Sequence, residues 1–323
     1  MSRPILSIII PAYNRANKVG DAIATLAGAP PGIELIVVDD GSADGTAAAA
    51  RTAIANISLT KTQVIEQENA GPSAARNRGI AASTGRYIAF LDSDDRWMPG
   101  AATVLVDLVV QSKIGPLTFL ATHDIGPGAN GNWPSISDVV PDILTFPCFT
   151  DAVLSGAQMR FAACNLVMTR DLLSRLGGFS NEMFCAEDTD LFMRANAEFC
   201  TLVRSPILVL HEIGAGDQLT GDAKRVREGL GHLVQRAAAG LYPGRSIETV
   251  LAGSVAHAAL VSFAAGQPGA AYGVWLRHLH RLLRAGAWHW ALRLPLLPLL
   301  HLIRPSSFAF RWRPKTGRRS SGP

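Results

Sequence analysis

The sequence predicts an α/β fold, with a mainly parallel, Rossmann-related sheet flanked by helices and a helical C-terminal extension. In the first half of the chain, apolar runs alternate with helical patterns, which is typical of parallel strands joined by crossover helices. Beyond about residue 221 the pattern is helical throughout. With 48% hydrophobic and 17% charged residues, the 323-residue chain can bury a large core. Its length allows one large domain with an extension, or two domains.

Five strands are predicted in the first half, with helices between them. The strands are Leu6–Ile10, Glu34–Val38, Thr62–Glu66, Arg86–Leu91 and Leu117–Thr122, and the helices are Lys18–Leu26, Thr46–Ala55, Ser73–Ala81 and Gly100–Gln111. Ligands of open α/β sheets bind outside the carboxyl ends of the strands. Polar residues at these ends are therefore expected to share one site, although they are far apart in sequence.

The second half begins with a segment rich in Gly, Pro, Asn and Ser, which predicts a long irregular connection over Gly126–Pro147. A strand and a helix follow, and Gly177-Gly178 ends that helix. The further elements predicted are a strand at Asn165–Thr169, a helix at Arg170–Leu176, a helix from about Glu187 to Glu198 and a strand at Leu202–Leu210 that ends at His211.

The acidic run Asp92-Ser93-Asp94-Asp95 directly follows the fourth strand. Carboxylates this close repel one another, and one pKa would rise unless a cation sits among them. Oxygen ligands of this kind suit Mg²⁺ or Mn²⁺, which commonly hold the phosphates of a substrate. The alternative is an acidic turn that ends the strand and caps the next helix, since Pro99 follows.

Several further blocks accompany the acidic run, always near a predicted strand end or helix start. They are Leu6–Asn14, Glu34–Ser42, Asn69–Gly79, Gly177-Gly178-Phe179 and Ala186–Leu191. In this order the blocks resemble the family-2 glycosyltransferases, which have the GT-A fold. The resemblance covers about residues 4–215, two thirds of the chain. It is specific at the level of the family and says little about which sugar is moved.

The resemblance implies a site for a nucleotide-diphosphate sugar, with a UDP-sugar as the preferred donor. It places the turn after the first strand on the nucleotide base and Asp39 on a base N–H. Arg76 would pair with the diphosphate or brace the acidic run, and Asp92 would bind the ribose near the metal. The implied donor-binding residues are Pro11, Ala12, Tyr13, Asn14, Asp39, Arg76, Asp92 and Ser93. A plain strand-to-helix turn and a solvated arginine remain the alternatives for Pro11–Asn14 and Arg76.

The resemblance also implies a divalent metal, Mn²⁺ or Mg²⁺, with Asp94 as the direct ligand and Asp92 and His211 beside it. Asp95 would be a supporting carboxylate or a cap. Many relatives carry a histidine at the position of His211, preceded by an aromatic–Arg pair. This chain has Val209 and Leu210 instead and so departs from the family's pattern directly before His211.

Glu187 and Asp188 occupy the place of the family's Glu-Asp pair. Inverting transfer needs a base that takes the proton from the acceptor hydroxyl. Asp188 is assigned this role, and Glu187 is a supporting or acceptor-binding group. The alternative is that both acids merely stabilise the first turn of a helix through its dipole.

Three rival functions are weighed against the transferase. A Rossmann dinucleotide site lacks its Gly-x-Gly-x-x-Gly turn here. A sugar nucleotidyltransferase is expected to carry a Gly-rich basic loop after the first strand, and Pro11–Asn14 is not one. Retention of Asp92, Asp94 and Asp188 argues against a non-catalytic nucleotide-sugar-binding or membrane scaffold protein.

The charge is distributed asymmetrically, because no acidic residue follows Glu248. Ten basic residues lie from Trp275 onward: Arg277, Arg281, Arg284, Arg293, Arg304, Arg311, Arg313, Lys315, Arg318 and Arg319. Trp275, Leu279 and Leu282 repeat at helical spacing among them, which predicts a cationic amphipathic helix on an anionic membrane. A spanning segment at Thr249–Ala265 and an ordinary packing domain are the alternatives, and no motif indicates nucleic acid.

These observations predict two regions in a cytoplasmic protein that is peripheral on the cytoplasmic membrane face. Residues 1–220 form the transferase domain, with a nucleotide-sugar half at about 1–122 and an acceptor half at about 123–220, and residues 221–323 form the basic helical extension. The short first apolar run predicts no signal peptide. The four cysteines, Cys148, Cys164, Cys185 and Cys200, show no Cys-x-x-Cys spacing, and three of them sit in apolar surroundings, which predicts reduced, mostly buried thiols. The expected acceptor is a hydroxyl of a glycan or a lipid-linked glycan, in surface polysaccharide or glycolipid biosynthesis.

Overall fold

The computed structural model describes residues 3–126, 133, 135–136, 138–157, 159–212, 222–244 and 246–296. The strands are β1 Leu6–Ala12, β2 Ile33–Asp39, β3 Lys61–Glu66, β4 Tyr87–Phe90, β5 Arg96–Trp97, β6 Leu117–Leu120, β7 Thr122–Ile125, β8 Asp142–Phe146, β9 Leu166–Thr169, β10 Cys200–Ser205 and β11 Val209–Glu212. The helices are α1 Val19–Ala24, α2 Thr46–Ala55, α3 Pro72–Ala82, α4 Ala101–Val110, α5 Phe149–Leu154, α6 Arg170–Leu176, α7 Glu187–Arg194, α8 Ala223–Ala238, α9 Ile247–Ala264, α10 Pro268–Arg284 and α11 Trp288–Arg293.

Eight strands form one large sheet in the order β3-β2-β1-β4-β9-β6-β10-β8. The β3, β2, β1 and β4 strands are parallel, β9 runs antiparallel between β4 and β6, β6 and β10 are parallel, and β8 is an antiparallel edge. This arrangement confirms the predicted fold class, a mainly parallel sheet with flanking helices. Because β9 is antiparallel, the residues that precede it lie at the carboxyl edge of β4 and β6.

The central strands are buried on both faces, as their unbroken apolar runs predict. Every residue of β1 and β2 is buried. One face of the sheet packs against α1, α2 and α4 through residues such as Ile23 and Leu105, and the other packs against helices of the second half through Phe90 and Phe192. The sheet is thus a rigid platform whose carboxyl edge presents the polar residues.

Two predicted strands are wrong because each is divided between two sheets. Leu202–Leu210 is β10 and β11, separated at Pro206, which has no N–H for a sheet ladder. Leu117–Thr122 likewise continues from β6 into β7. The second pieces form a small sheet in the order β5-β11-β7, which lies beyond the carboxyl edge of the large one. His211 is therefore inside β11 and not after its end.

Two other boundaries differ from the prediction. The connection Gly126–Pro147 is not irregular throughout, since β8 pairs with β10 as the edge of the large sheet. Within that connection, residues 127–132, 134 and 137 lie outside the described residues. The helix predicted to reach Glu198 ends at Arg194.

The described residues beyond 221 are helical, as predicted. A third apolar cluster joins α8, α9, α10 and α11. Among the residues that the structure describes, α9 is the one helix of 18 residues apolar enough to cross a membrane by length and composition, with a mean hydropathy of 1.5 and 39% of it buried. The junction at residues 213–221 is outside the described part, so the boundary at residue 220 stays a prediction.

The predicted amphipathic stripe on α10 is wrong in its orientation. Leu282 is fully buried, Leu279 packs into the third cluster, and the Trp275 Nε1 donates to the Ala291 carbonyl at 3.1 Å. Arg281 is also engaged, at 2.6 Å from Glu248. The exposed apolar side chains of this region are Tyr272, Leu276, Leu283, Trp288, Leu292 and Leu296. Of the ten tail residues counted above, Arg304, Arg311, Arg313, Lys315, Arg318 and Arg319 lie outside the described chain.

Candidate active site

The polar residues at the strand ends meet at the carboxyl edge of the large sheet. Ala12, the last residue of β1, pairs with Asp39, the last residue of β2, and Pro11 pairs with Val38. The acidic run follows β4, the next strand along the sheet. The sheet therefore brings the predicted donor-binding segments to three adjacent strand ends.

The turn after β1 is held to the turn after β2. Asn14 adopts a left-handed backbone conformation, with φ 50°, and its N–H donates to the Ser42 Oγ at 2.9 Å. The Ala43 N–H donates in return to the Asn14 Oδ1 at 3.1 Å. Tyr13, between the buried Ala12 and this latch, is 49% exposed. An aromatic ring is thus presented to solvent next to the Asp39 strand end, where a planar base could stack.

The two acids at the end of β2, Asp39 and Asp40, make different hydrogen bonds. Asp39 accepts hydrogen bonds from the Ser42 N–H and hydroxyl, both at Oδ1. Asp40 instead fixes the chain that leads into α3: its Oδ1 accepts from the Ala70 N–H at 3.0 Å and its Oδ2 from the Gly71 N–H at 2.8 Å. Gly41, which lies between Asp40 and Ser42, has φ 76°, and a Cβ at this position would lie 2.7 Å from the Asn69 nitrogen. The turn therefore requires glycine.

Arg76 lies between the two groups of acids. Its guanidinium donates to the Asp92 Oδ1 at 3.0 Å and to the Glu187 Oε1 at 2.9 Å, and it stacks over the Phe179 ring at 5.3 Å. Burial lowers the pKa of Arg76, but Asp92 and Glu187 raise that pKa more, so the guanidinium stays charged. Of the two roles considered for Arg76, this geometry is that of a brace: it ties the end of β4 to the start of α7.

Asp94 is a partly buried acid that lies close to two other acids. Burial, followed by the charges of Asp92 and Asp95, raises the pKa of Asp94 to about 6. A divalent cation would relieve this repulsion, and carboxylate oxygens are the donors that Mg²⁺ and Mn²⁺ take. The residues present therefore fit such a metal. Ser93, between the two acids, is buried in the turn.

Asp95 turns away from the other two acids and into the protein. It accepts hydrogen bonds from the His211 Nδ1 at 3.0 Å and from the Glu212 N–H at 3.0 Å. Burial lowers the pKa of His211, but the bond and charge of Asp95 outweigh it and raise that pKa. His211 was predicted beside Asp92 and Asp94, and the structure instead engages its Nδ1 with Asp95. Only its Nε2 is left for a metal.

Cys164 is a further member of this cluster, which the sequence did not single out. Its Sγ lies 4.0 Å from the His211 Nδ1, and the ligand atoms of Asp95, Cys164 and His211 lie within 4.8 Å of one another. Burial raises the pKa of the Cys164 thiol, which keeps it protonated. A neutral thiol is a poor donor for the hard cation that the Asp94 region fits. No sequence signal marked Cys164, because only the antiparallel direction of β9 places it here.

The second acidic group begins α7. Ala186, with φ 64°, turns the chain sharply before Glu187 and Asp188. Arg76 holds Glu187, while the Thr189 N–H donates to the Asp188 Oδ1 at 2.6 Å. Burial and the adjacent Glu187 raise the pKa of Asp188 to about 7, and Arg76 opposes them. A carboxylate with a pKa near neutrality is suited to general base catalysis.

Asp190, the remaining acid of this helix turn, is committed to structure. It is fully buried and accepts hydrogen bonds from the Tyr242 hydroxyl at 2.8 Å, the Arg194 Nε at 2.9 Å and the Arg236 Nη1 at 3.3 Å. With its lone pairs occupied in this way, Asp190 is unsuited to the role of base.

A cleft of about 450 Å³ lies at the carboxyl ends of β6 and β10. Its lining includes Ala121, Thr122, Gly156, Met159, Arg204 and Ile207. The strand order puts β6 two strands from β4, on the order of 10 Å from the acidic run. Arg204 pairs with Asp142 at 2.6 Å on its rim. Sequence analysis missed this cleft because its lining comes from three separate segments with no motif.

Comparison with known sequences matches the sequence model of Glycosyl transferase family 2 to residues 7–137. TuaG of Bacillus subtilis, named for teichuronic acid biosynthesis, is 38% identical over 96 residues, 29% of this chain and 38% of TuaG. The succinoglycan biosynthesis protein ExoU of Rhizobium meliloti is 42% identical over 94 residues, 29% of this chain and 27% of ExoU. Glycosyltransferase AglE of Haloferax volcanii is 39% identical over 204 residues, 59% of this chain and 61% of AglE. The chain thus spans less than two thirds of each of these relatives.

Solved structures confirm the predicted GT-A-like fold. S. aureus TarS 1–349 in complex with UDP-GlcNAc superposes with a TM-score of 0.60 at 17% identity, over 93% of this chain and 87% of that one. The mannosyltransferase PcManGT from Pyrobaculum calidifontis, in complex with GDP-Man and Mn²⁺, gives 0.53 at 16% identity, over 95% and 89%. At these identities the likeness extends to the fold alone.

Proposed function

We propose that this chain, which belongs to glycosyl transferase family 2, is an inverting, metal-dependent glycosyltransferase. It moves a sugar from a nucleotide-diphosphate sugar to a hydroxyl of a glycan or lipid-linked acceptor. The observation that carries the proposal is the Arg76 bridge, which ties Asp92 of the acidic run to Glu187 beside the candidate base. An acid proposed to bind the donor, Asp92, and the candidate base, Asp188, are thereby held close to the same arginine.

Asp188 is the base in this proposal. One carboxylate oxygen is held by the Thr189 N–H, and the carboxylate takes the proton from the acceptor hydroxyl. The hydroxyl oxygen forms the new bond to the anomeric carbon as the bond to the diphosphate breaks on the opposite face, which inverts the configuration. Removing this proton typically contributes about 10²–10⁴-fold to the rate. Glu187 supports Asp188 or binds the acceptor.

The donor lies across the ends of β1, β2 and β4. Tyr13 stacks on the base, Asp39 accepts from a base N–H, and Pro11, Ala12 and Asn14 shape the floor of the site. Asp92 and Ser93 hold the ribose end. A UDP-sugar is the preferred donor, and the UDP-GlcNAc bound by the fold neighbour TarS supports this choice.

Asp94, with Asp92 and the Nε2 of His211, would hold Mn²⁺ or Mg²⁺. When bound, such a cation offsets the negative charge that develops on the departing nucleoside diphosphate. PcManGT, named with Mn²⁺, supports this assignment. Asp95 orients His211 through the bond to Nδ1, so Nε2 of the neutral imidazole is the nitrogen that would bind a metal.

The acceptor is a growing surface polysaccharide or a lipid-linked glycan. The names of TuaG and ExoU, from teichuronic acid and succinoglycan biosynthesis, support this class. The cleft beside β6 and β10 is the candidate acceptor site, since it lies at the same sheet edge as the donor residues and is large enough for sugar units.

The protein works at the cytoplasmic face of the membrane as a peripheral protein. Three exposed apolar residues of α10 and α11 each precede an exposed arginine, in Leu276-Arg277, Leu283-Arg284 and Leu292-Arg293. Apolar side chains can enter the interface there while the adjacent guanidinium meets anionic headgroups. Co-sedimentation with anionic vesicles, weakened by salt and by Arg277→Gln with Arg284→Gln, tests this part. Arg51→Gln on the distant α2 is the control, and equal loss in the control would contradict it.

The function itself is tested by donor turnover. Wild type is incubated with UDP- and GDP-sugars, with and without Mn²⁺, and released nucleoside diphosphate is measured beside a thermal-shift series. A ligand at 100 times its Kd stabilises the fold by about 2.7 kcal/mol. Asp188→Asn should keep this shift and lose at least ~10²-fold in turnover. Asp171→Asn, the same change at an exposed acid of α6, should alter neither. Turnover by Asp188→Asn at the wild-type rate would reject Asp188 as the base.

A further inference from the structure

The segment that aims Asp188 is under strain and is held from outside the sheet. Ala186 occupies the left-handed region, with φ 64° and ψ 18°, which is uncommon for a residue with a side chain. Its carbonyl accepts the Asp190 N–H at 3.0 Å and so begins α7. A conformation of this kind persists only when surrounding structure enforces it.

Helix α8 provides that enforcement at one glycine. Gly229 is buried, and a Cβ built on it would lie 2.4 Å from the Cys185 carbonyl oxygen and 3.4 Å from the Ala186 Cβ. The backbone of α8 therefore touches the backbone that precedes Glu187. Any side chain at position 229 would have to push the segment or the helix away.

The same helix is anchored on both sides of this contact. Val226 and Leu230 lie in the third apolar cluster, into which Cys185 also packs. At its C-terminal end, Arg236 reaches the buried Asp190 on α7 and donates to the Ser180 Oγ at 2.9 Å. Helix α8 can thus neither slide nor tilt away from the start of α7 without breaking these contacts.

We propose that Gly229 is a positioning residue for the candidate base: it lets α8 press on Cys185-Ala186 and so fixes the direction of Asp188. The proposal rests on the proposed function only for its catalytic consequence. It makes the helical extension a support of the active site, through the contact of Gly229 with Cys185 and Ala186.

The test compares two glycines of one helix. Gly229→Ala introduces the clash, whereas Gly231→Ala places a methyl group where nothing lies within 4 Å, and both changes favour the helix equally. Hydrogen exchange of the amides from Cys185 to Asp190 should be at least ~10-fold faster in Gly229→Ala and unchanged in Gly231→Ala. Unchanged exchange in Gly229→Ala would overturn the proposal without any assay of transfer.

Kinetics distinguish positioning from general destabilisation. With UDP-GlcNAc and Mn²⁺ as the probe, Gly229→Ala should lower kcat at least ~10-fold and leave KM within about twofold, because the base is misplaced while the donor residues are untouched. Equal losses in kcat and donor affinity, or equal losses in the two variants, would overturn the positioning role. Failure of wild type to turn over any donor would refute the proposed function and leave the exchange result valid.

A measurement on wild type covers the case in which Gly229→Ala does not fold. Native-state exchange in increasing denaturant should show the Asp190 amide and the α8 amides around Leu230 opening as one unit, with converging opening free energies. Independent opening of α7 and α8 would contradict the proposal that α8 holds the start of α7 in place.

Discussion

The molecule contains two runs of three acids within four positions, and they are organised alike. In each run, one acid pairs with Arg76 (Asp92 and Glu187), and one has a raised pKa (Asp94 and Asp188). The third is buried in a hydrogen-bonded cluster, Asp95 with His211 and Asp190 with Tyr242 and two arginines.

The difference lies in the neighbourhood of the acid with the raised pKa. After burial itself, two like charges raise the pKa of Asp94, which fits a place for a cation. For Asp188 the next cause is one neighbouring acid, which Arg76 already balances, and that fits a proton acceptor. The two runs therefore share their composition and their pairing with Arg76, and they differ in how many like charges surround the acid with the raised pKa.

Arg76→Met removes the cation common to both runs and should have the largest effect. Asp92 and Glu187 would lose their partner in a buried setting, where breaking a pair costs about 3–5 kcal/mol. Transfer should fall by more than ~10²-fold, since both halves of the site shift. Urea unfolding and donor turnover measure the two effects. Arg78→Met, an exposed arginine on the same helix, should change neither, and a wild-type stability for Arg76→Met would remove Arg76 as the link.

Asp94→Ala and Asp188→Asn should separate the two runs. Asp94→Ala should abolish Mn²⁺-dependent binding of UDP, because it removes the proposed direct ligand. Asp188→Asn should retain that binding and lose at least ~10²-fold in transfer. Calorimetric titration of UDP with and without Mn²⁺, beside turnover, tests the contrast. If both variants lose metal-dependent binding to the same extent, the division of roles is wrong.

Much of this organisation was predictable from sequence, and the remainder has a physical reason. Asp92 and Asp94 were singled out because they follow an apolar strand, and Glu187 and Asp188 because they stand in the place of the resembled family's Glu-Asp pair; the structure pairs one acid of each group, Asp92 and Glu187, with Arg76. The bond between Asp95 and His211 joins residues 116 positions apart, and it depends on β11 leaving the large sheet at Pro206. No local pattern encodes such a partner choice.

The predicted orientation of α10 was wrong for a related reason. Trp275, Leu279 and Leu282 form a correct helical stripe, but periodicity cannot tell a stripe that packs on α9 from one that faces a membrane. The burial of Leu282 and the Arg281–Glu248 pair decide it, and both depend on α9.

The pH dependence of stability should distinguish Asp188 from an ordinary acid. Its folded-state pKa, about 7, lies above the ordinary value of 3.8. Between these values the folded state binds more protons than the unfolded state, so this group makes stability fall as pH rises. Asp188→Asn cannot ionise and should melt higher than wild type at pH 8, with the difference vanishing near pH 4. Wild-type turnover should rise through pH 7 as Asp188 loses its proton, with Glu187 and Arg76 the charged neighbours.

Melting curves of wild type, Asp188→Asn and Asp171→Asn over this pH range provide the measurement. A constant difference between wild type and Asp188→Asn at every pH would mean that the carboxylate of Asp188 is not the group responsible. Asp171 is exposed and should give no pH-dependent difference.

The smallest effect on stability is expected for a change at the hydrogen-bonded cluster around Asp190, the third acid of the second run. Tyr242→Phe removes one of three hydrogen bonds to Asp190, and Arg194 and Arg236 remain. Stability should fall by about 1 kcal/mol, the usual net value of such a bond, with kcat and KM within about twofold of wild type. Tyr272→Phe, which removes a hydroxyl on the surface of α10, should cost less than about 0.5 kcal/mol. A large loss of transfer in Tyr242→Phe without loss of stability would mean that Asp190 shares the work of Asp188, and the parallel between Asp190 and Asp95 would fail.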